Sequence, residues 1–138
     1  MPESNAGLLS SEGLSLRPDM DSMPRAISYV EGVLEAAGVP MRTAAKLNIA
    51  VDEIYANIIM YSGASQAHIL CRAEDGQVTL SFSDDGIPYD PLDAPEPDTA
   101  LAAEEREIGG LGIFMVRKSM DQISYSRLEG RNVLTLTK

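Results

Sequence analysis

The stretch Ile108-Gly109-Gly110-Leu111-Gly112-Ile113-Phe114-Met115-Val116-Arg117-Lys118-Ser119-Met120 joins a cluster of glycines directly to an amphipathic helix. Glycines allow the backbone to approach an anion closely and to adopt positive φ angles. The first turn of the helix that follows offers unpaired N–H groups and the positive end of the helix dipole. The pattern therefore predicts a phosphate site, with a nucleotide as the default ligand.

This glycine cluster differs from two common nucleotide-binding motifs. No Gly-Lys-Ser/Thr sequence follows it, as a P-loop requires, and no predicted strand precedes it, as a dinucleotide fingerprint requires. Taken alone, it also fits a plainer interpretation: a helix start that needed flexibility, with Leu111, Phe114 and Met115 as core residues. The rest of the chain is needed to decide between the two.

The composition removes several classes of chemistry. Cys71 is the only cysteine and His68 the only histidine among the 138 residues. An intrachain disulfide and a thiolate-rich zinc site therefore cannot be built. The formal net charge of −10 argues against direct binding to nucleic acid or to anionic membranes, since both rely on concentrated Lys and Arg. The same acidity indicates that ATP would arrive with a divalent cation.

Length and hydropathy predict one cytoplasmic domain spanning residues 1–138. A chain of this length buries roughly two-thirds of its unfolded surface without disulfides or metals. No stretch approaches the ~20 apolar residues that span a bilayer. The first residues, Met1-Pro2-Glu3-Ser4-Asn5, lack the basic and apolar regions of a secretory signal.

Apolar periodicity predicts helices and strands arranged in blocks. Helices are predicted from the cap at Asp21-Ser22-Met23-Pro24 to Gly38, from Pro40 to Ser62-Gly63, and after the glycine cluster. Strands are predicted around Leu14 and Leu16 and over residues 66–73, 77–83, 122–127 and 132–138, with a long, functional type of loop over 88–108. This order favours an α+β two-layer sandwich, with a mainly antiparallel mixed sheet and about three helices on one face.

The second predicted helix carries three polar residues at i, i+4 and i+8: Glu53, Asn57 and Tyr61. They line up on one flank of the apolar stripe and can face a shared cleft. The amide oxygen of Asn57 suits Mg²⁺, and the carboxylate of Glu53 can orient or deprotonate a hydroxyl nucleophile. A solvated polar edge on a core helix explains the same residues and, without other motifs, is the better explanation.

The second polar group, Ser83-Asp84-Asp85-Gly86-Ile87-Pro88-Tyr89-Asp90-Pro91, follows an alternating strand. A carboxylate here can accept a hydrogen bond from the exocyclic amine of a base, and Gly86 can let a planar ring lie against the backbone. Asp-Gly and Pro-rich strings are also ordinary turn formers, and this segment alone favours a turn.

The order of these motifs is more specific than any one of them. A helix with Glu53-x-x-x-Asn57, a strand with Asp84-x-Gly86, a long loop and a Gly-Gly-Leu-Gly helix start resemble the Bergerat-fold ATP-binding superfamily of gyrase, histidine kinases and the heat-shock chaperone. The chain looks most like the anti-sigma factor serine/threonine kinases of bacteria. The resemblance runs from about Leu14 to Lys138.

The resemblance implies a role for each matching residue. Glu53 matches the catalytic acid, Asn57 the magnesium-binding asparagine, and Asp84 the adenine-reading aspartate, with Gly86 in the expected place. Gly110, Leu111 and Gly112 match the phosphate loop, and residues 91–108 match the lid over the triphosphate. Arg106, the one basic residue of that lid, is assigned as a γ-phosphate contact.

The family resemblance implies a function in a partner-switching pathway. The chain is expected to be an anti-sigma factor that uses ATP and Mg²⁺ to phosphorylate an anti-sigma-factor antagonist on a serine or threonine. Phosphorylation of the antagonist then frees the kinase to hold a sigma factor inactive. Such proteins commonly dimerise.

Two departures keep other functions open. Family members often have histidine where Tyr61 stands, and Arg131-Asn132 replaces the usual Gly-Thr before the last strand. The rival from another class is a non-catalytic module that binds ATP as a conformational ligand and sequesters a regulator. The third reading, a free-standing histidine-kinase catalytic domain, ranks below both.

Overall fold

The computed structural model describes residues 13–93 and 110–138. These residues form five strands and three α-helices, in the order β1 Leu14–Leu16, α1 Met23–Ala36, α2 Met41–Asn57, β2 Ala67–Glu74, β3 Gln77–Asp84, α3 Gly110–Ser119, β4 Gln122–Leu128 and β5 Arg131–Thr137. A π-helical segment, Ile58–Ser62, continues α2, and 3-10 turns cover Met20–Ser22 and Pro91–Asp93.

Local sequence explains where α1 begins and ends. The side chain of Asp19 accepts a hydrogen bond of 2.9 Å from the backbone N–H of Ser22, just before the helix. Pro24 stands in the first turn, where its missing N–H leaves no hydrogen bond unmade. Gly38 follows the end of α1 with a φ of 69°, a left-handed conformation that favours glycine. The buried residues recur at helical spacing: Ala26, Val30 and Leu34.

Helix α2 is the central helix of the core. Its inner stripe is almost completely buried and consists of Leu47, Ala50, Val51, Ile54 and Tyr55. The hydroxyl of Tyr55 shares a hydrogen bond of 2.6 Å with Ser22, at the start of α1. Since α1 and α2 are joined at this buried point, the face of α2 that carries Glu53 has a fixed orientation.

The five strands form one sheet in the order β1-β2-β3-β5-β4, and each of the four described pairings is antiparallel. Both hairpins turn through a non-glycine residue followed by glycine, with positive φ at each position: Asp75-Gly76 and Glu129-Gly130. Paired positive φ angles match the twist of the flanking strands. In the resulting register, Asp84 of β3 lies directly opposite Asn132 of β5.

The core lies between the helices and one face of this sheet. Alternate residues of the central strands contribute to it, among them Ile69, Cys71, Leu80, Phe82, Leu134 and Leu136, together with Ile113 and Val116 of α3. Burial raises the pKa of the Cys71 thiol to about 11. The two-layer α+β architecture with helices on one face and a mainly antiparallel sheet is confirmed.

The predicted elements match the structure closely, with one difference in α2. The predicted strands lie within one or two residues of β1 to β5. The second helix was expected to continue as an α-helix to Ser62-Gly63, but α-helical geometry ends at Asn57 and the chain proceeds as a π-helix. Most of the predicted 88–108 loop lies outside the described residues. Among the described helices, none has the length and apolarity needed to cross a membrane.

Candidate functional site

Buried polar residues mark one end of the molecule. The described part of the chain buries five polar side chains, and four of them converge where α2 ends and β3 and β5 meet: Asn57, Ser62, Asp84 and Asn132. Buried polar groups cost free energy unless they have partners, so such a cluster needs an explanation. Asn57, Asp84 and Asn132 line one small cavity together with Tyr89 and Tyr125. Its volume of about 20 Å³ has room for one water molecule.

Asn57 has an unsatisfied side chain. It is 4 % exposed, and its Nδ2 is buried without a hydrogen-bond partner among the described residues. Most buried amides in proteins are fully paired. This N–H donor is therefore available to an acceptor that the described residues do not supply.

Glu53 lies one turn before Asn57 on α2 and meets the first turn of α3. A Cβ atom placed on Gly112 would overlap the Glu53 carboxylate, so only a glycine fits at this position without displacing Glu53. Burial is the main cause that raises the pKa of Glu53 above its ordinary value, and the charge of Asp52 adds to it. The carboxylate and the helix start that were predicted separately are in direct contact.

Asp84 is held in a defined orientation at the end of β3. It is 4 % exposed, and its Oδ1 accepts hydrogen bonds from the backbone N–H of Gly86 at 2.9 Å and from Asn132 Nδ2 at 3.0 Å. Both bonds go to Oδ1, and Oδ2 has no hydrogen bond to a described residue. A carboxylate of this kind can receive an exocyclic amine.

Gly86 is required by protein packing. A Cβ atom at this position would overlap the backbone carbonyl of Ser62, at the end of the π-helical segment. Next to it, the backbone N–H of Ile87 donates to Ser62 O at 2.9 Å. The close approach of two backbones therefore explains this glycine, and contact with a planar ring remains a prediction. The same contact fixes the end of α2 to the loop after β3.

Tyr61 and Tyr89 form an aromatic pair beside the site. Their ring centroids lie 5.6 Å apart at an interplanar angle of 34°. Burial raises the pKa of Tyr89, with smaller contributions from Tyr61, Asp90 and Glu53. Tyr61, expected on the flank of α2, thus packs against Tyr89, which lies near Glu53 and lines the cavity.

The remaining predicted residues are described only in part. Gly110 and Leu111 open α3, and their role as a phosphate loop stays a prediction. Arg106, the predicted γ-phosphate contact, lies outside the described residues, as does most of the predicted lid. Within the described ranges, no group of three or more His, Cys, Asp or Glu side chains is arranged to hold a metal ion. A magnesium ion here would take few ligands from the protein.

The sequence prediction missed three residues that shape the site: Tyr125 and Arg127 of β4 and Asn132 of β5. Asn132 was noted only as a departure from the family pattern. Its position in the alternation with Leu134 and Leu136 places it on the buried side of β5, and an amide there signals a hydrogen-bond network. The cross-strand pair Arg127↔Asn132 could not be read without the hairpin register.

The sequence is similar to known proteins over most of its length. The sequence profile of the histidine kinase-like ATPase domain family matches residues 16–138. The serine/threonine-protein kinase BtrW of Bordetella bronchiseptica is 33 % identical over 95 residues, covering 66 % of this chain and 67 % of that protein. The serine-protein kinase RsbW of Listeria monocytogenes is 28 % identical over 136 residues, covering 88 % of this chain and 81 % of that protein.

Proposed function

The chain belongs to the histidine kinase-like ATPase domain family, and from this premise we propose that it is a bacterial anti-sigma factor and a serine/threonine protein kinase. Its substrate is an anti-sigma-factor antagonist, and its phosphoryl donor is Mg-ATP. The observation that carries the proposal is the contact between the Glu53 carboxylate and Gly112, one helical turn from the orphaned carboxamide of Asn57. These observations support a role for Glu53 as the base and for Asn57 as the metal ligand, beside a helix start that suits phosphate.

Adenine binds at the sheet end of the cleft. Asp84 Oδ2 accepts a hydrogen bond from the exocyclic amine of the base, because Oδ1 is already engaged by Gly86 and Asn132. Guanine has a carbonyl oxygen in the corresponding place and would face the carboxylate unfavourably. This end of the site therefore selects adenine.

The phosphates bind at the first turn of α3. Gly110 and Gly112 supply backbone N–H groups at the positive end of the helix dipole, which suits an anionic ligand. The negative charge of the chain supplies little other attraction. Backbone dipoles and a cation must therefore neutralise the triphosphate.

The residues present fit a magnesium ion that is held mainly by the nucleotide. The amide oxygen of Asn57 is the hard donor that Mg²⁺ prefers, and its unpaired Nδ2 can donate a hydrogen bond to a phosphate oxygen. Phosphate oxygens and water complete the coordination of such ions in kinases. When bound, the ion neutralises charge that develops on the transferred phosphoryl group.

Glu53 positions the nucleophile. A serine or threonine hydroxyl of the antagonist donates a hydrogen bond to the carboxylate and attacks the γ-phosphorus in line with the leaving oxygen. The bond from the substrate oxygen to the γ-phosphorus forms, the bond to the β-phosphate oxygen breaks, and the hydroxyl proton passes to Glu53. Partial burial, which raises the pKa of this carboxylate, makes it a better proton acceptor than an exposed one.

The pathway rests on the relatives. RsbW and BtrW are named as protein kinases, and the resemblance to bacterial anti-sigma factor kinases adds the antagonist and the sigma factor. Phosphorylation of the antagonist releases this chain to bind the sigma factor.

Labelled Mg-ATP tests the proposal in the presence of an antagonist. We expect acid-stable label on a serine or threonine of the antagonist, and a loss of at least about 100-fold in rate for Glu53→Gln. Asp52→Asn is the matched control, since Asp52 is an exposed carboxylate next to Glu53 on α2. Its rate should stay near that of the wild type.

Two other results would redirect the assignment. If ATP binds tightly but the antagonist stays unlabelled, the ATP-gated binding module would be favoured. The observation that motivates this alternative is that Arg131-Asn132 replaces the family's Gly-Thr. Acid-labile label on a histidine would favour a free-standing histidine-kinase catalytic domain.

A further inference from the structure

We infer that Asn132, held in place by Tyr125 and Arg127, is the positioning residue that sets the adenine specificity of Asp84. The inference rests on the proposed function, because it concerns how the same site recognises its nucleotide. Asn132 is 4 % exposed and makes five hydrogen bonds within the described residues.

The two ends of the Asn132 amide have partners of opposite kinds. Nδ2 donates to Asp84 Oδ1 at 3.0 Å and to the backbone carbonyl of Ile87 at 2.8 Å. Oδ1 accepts from the Tyr125 hydroxyl at 2.5 Å, from Arg127 Nη1 at 3.1 Å and from the Tyr89 backbone N–H at 3.1 Å. The partners of Nδ2 are acceptors and those of Oδ1 are donors, so the amide has one favourable orientation.

This orientation controls which oxygen of Asp84 meets the ligand. Asn132 and Gly86 both donate to Oδ1, and an ionised carboxylate accepts such bonds best. Rotation of the carboxylate would break both bonds. Oδ2 is therefore kept as a fixed acceptor for an exocyclic amine, and a preorganised acceptor discriminates between bases better than a mobile one.

The edge strand β4 supplies the support. Arg127 Nη1 donates both to Asn132 Oδ1 and to the backbone carbonyl of Gly86 at 2.8 Å. One guanidinium thus connects β4, β5 and the loop after Asp84. Its charge also polarises the amide of Asn132, which strengthens the bond that Asn132 donates to Asp84.

A structural role alone would give a different result from a positioning role. Loss of packing would weaken ATP and inosine triphosphate equally, because the two nucleotides share the sugar and the phosphates. Inosine has a carbonyl in place of the exocyclic amine, so this position can no longer donate to Asp84. The ratio of the two affinities therefore reports the orientation of Asp84.

Calorimetric titration of the full chain with each nucleotide and magnesium tests the inference. The variants are Asn132→Ala, the isosteric Asn132→Asp, which removes both donated bonds, and Tyr125→Phe, which removes one supporting hydroxyl. The control is Thr135→Val, on the opposite face of β5. Thermal melting monitors folding of each variant.

The expected result is a change in selectivity. Wild type and Thr135→Val should prefer ATP, whereas Asn132→Ala and Asn132→Asp should lose about tenfold in ATP affinity. Their affinity for inosine triphosphate should change by less than about twofold, and Tyr125→Phe should shift the ratio in the same direction by less. If Asn132→Ala does not fold, the other two variants decide.

Two outcomes overturn the inference. The first is folded variants that keep the wild-type ratio or lose affinity for both nucleotides equally. The second is a wild type without preference for ATP, which would also remove the assigned role of Asp84. Failure of phosphoryl transfer with the selectivity intact would overturn the proposed kinase and leave the role of Asn132 standing.

Discussion

The two ends of the cleft are built in opposite ways. At the sheet end, Asp84 and Asn132 are buried in a network in which both side chains have several partners. At the helix end, the side-chain nitrogen of Asn57 is buried and has no hydrogen-bond partner among the described residues. The carboxylate of Glu53 is partly buried, and no described cationic side chain lowers its pKa.

Under the proposed function, this difference separates the recognition of the base from phosphoryl transfer. Groups that read a base benefit from being fixed before the ligand arrives, because no ordering cost remains. Groups that bind a metal ion or accept a proton need lone pairs that no other residue occupies, because their partners arrive with the substrate. A satisfied network and an unsatisfied one within a single cleft are what a nucleotide-dependent transferase requires.

The largest expected effect is the pH dependence of the phosphoryl-transfer rate, which depends on Glu53 at the helix end. Glu53 must be ionised to accept a proton, so phosphoryl transfer should fall about tenfold per pH unit below its raised pKa. The acid limb should lie above the ordinary glutamate value of about 4.3. The raised pKa also means that the free energy of unfolding declines as pH rises from the ordinary value through the folded one. Stopped-time assays across pH measure the limb.

Asp52→Asn sharpens this prediction. Removal of the neighbouring charge should move the acid limb of the rate profile to lower pH, because Asp52 contributes to the raised pKa of Glu53. An acid limb that persists in Glu53→Gln would assign the titration to another group.

The second prediction compares the two buried asparagines. Asn57→Ala should lower magnesium-dependent ATP affinity by more than about tenfold and leave the melting temperature nearly unchanged, because Nδ2 donates no hydrogen bond to a described residue. Asn132→Ala should destabilise the fold by about 1–3 kcal/mol, since it leaves buried partners unpaired. Calorimetry and urea unfolding measure both. If the two variants lose the same free energy of unfolding, the two ends of the cleft do not differ in the way described.

The third prediction compares two glycines. Gly86→Ala forces a methyl group against the backbone of Ser62 and should destabilise the fold by about 1–3 kcal/mol. Gly112→Ala forces a methyl group against the far end of the Glu53 side chain, which can rotate away. This variant should keep its stability and lose activity. Thermal melting beside a kinase assay distinguishes them, and an unstable Gly112→Ala protein would contradict the interpretation.

The smallest effect is expected at Asp85, which belongs to neither end of the cleft. Its carboxylate accepts hydrogen bonds from Gln66 and Ser65, which lower its pKa to about 2. The stabilisation is present above the unfolded value of about 3.9 and is lost as pH falls towards 2. The stability difference between wild type and Asp85→Asn should therefore shrink across that window, measured by urea unfolding. Asp75→Asn, in the exposed hairpin turn, is the control.

The sequence was sufficient to predict most of the fold because the signals were local. Proline and glycine marked the ends of α1, and alternation in β3 showed its buried face. The π-helical turn after Asn57 was not predicted, and its last residue, Ser62, contacts Gly86, 24 positions along the chain. Local periodicity contains no information about such contacts.

The candidate site was predictable to a similar extent. Glu53, Asn57 and Asp84 belong to recognisable motifs, and the structure brings Asn57 and Asp84 to one cavity and Glu53 to Gly112. The Tyr125, Arg127 and Asn132 network required the register of β4 and β5. Three unremarkable residues became informative only when the hairpin placed them together.

The burial of Cys71 has a practical consequence for biophysical work. With its thiol in the core and a pKa of about 11, this single cysteine stays protonated and shielded near neutral pH. Exposed positions such as Met60 and Met115, on α2's π-helical end and on α3, can be replaced by cysteine. A maleimide dye pair or two spin labels would then report the separation of these helices, without prior removal of a native thiol.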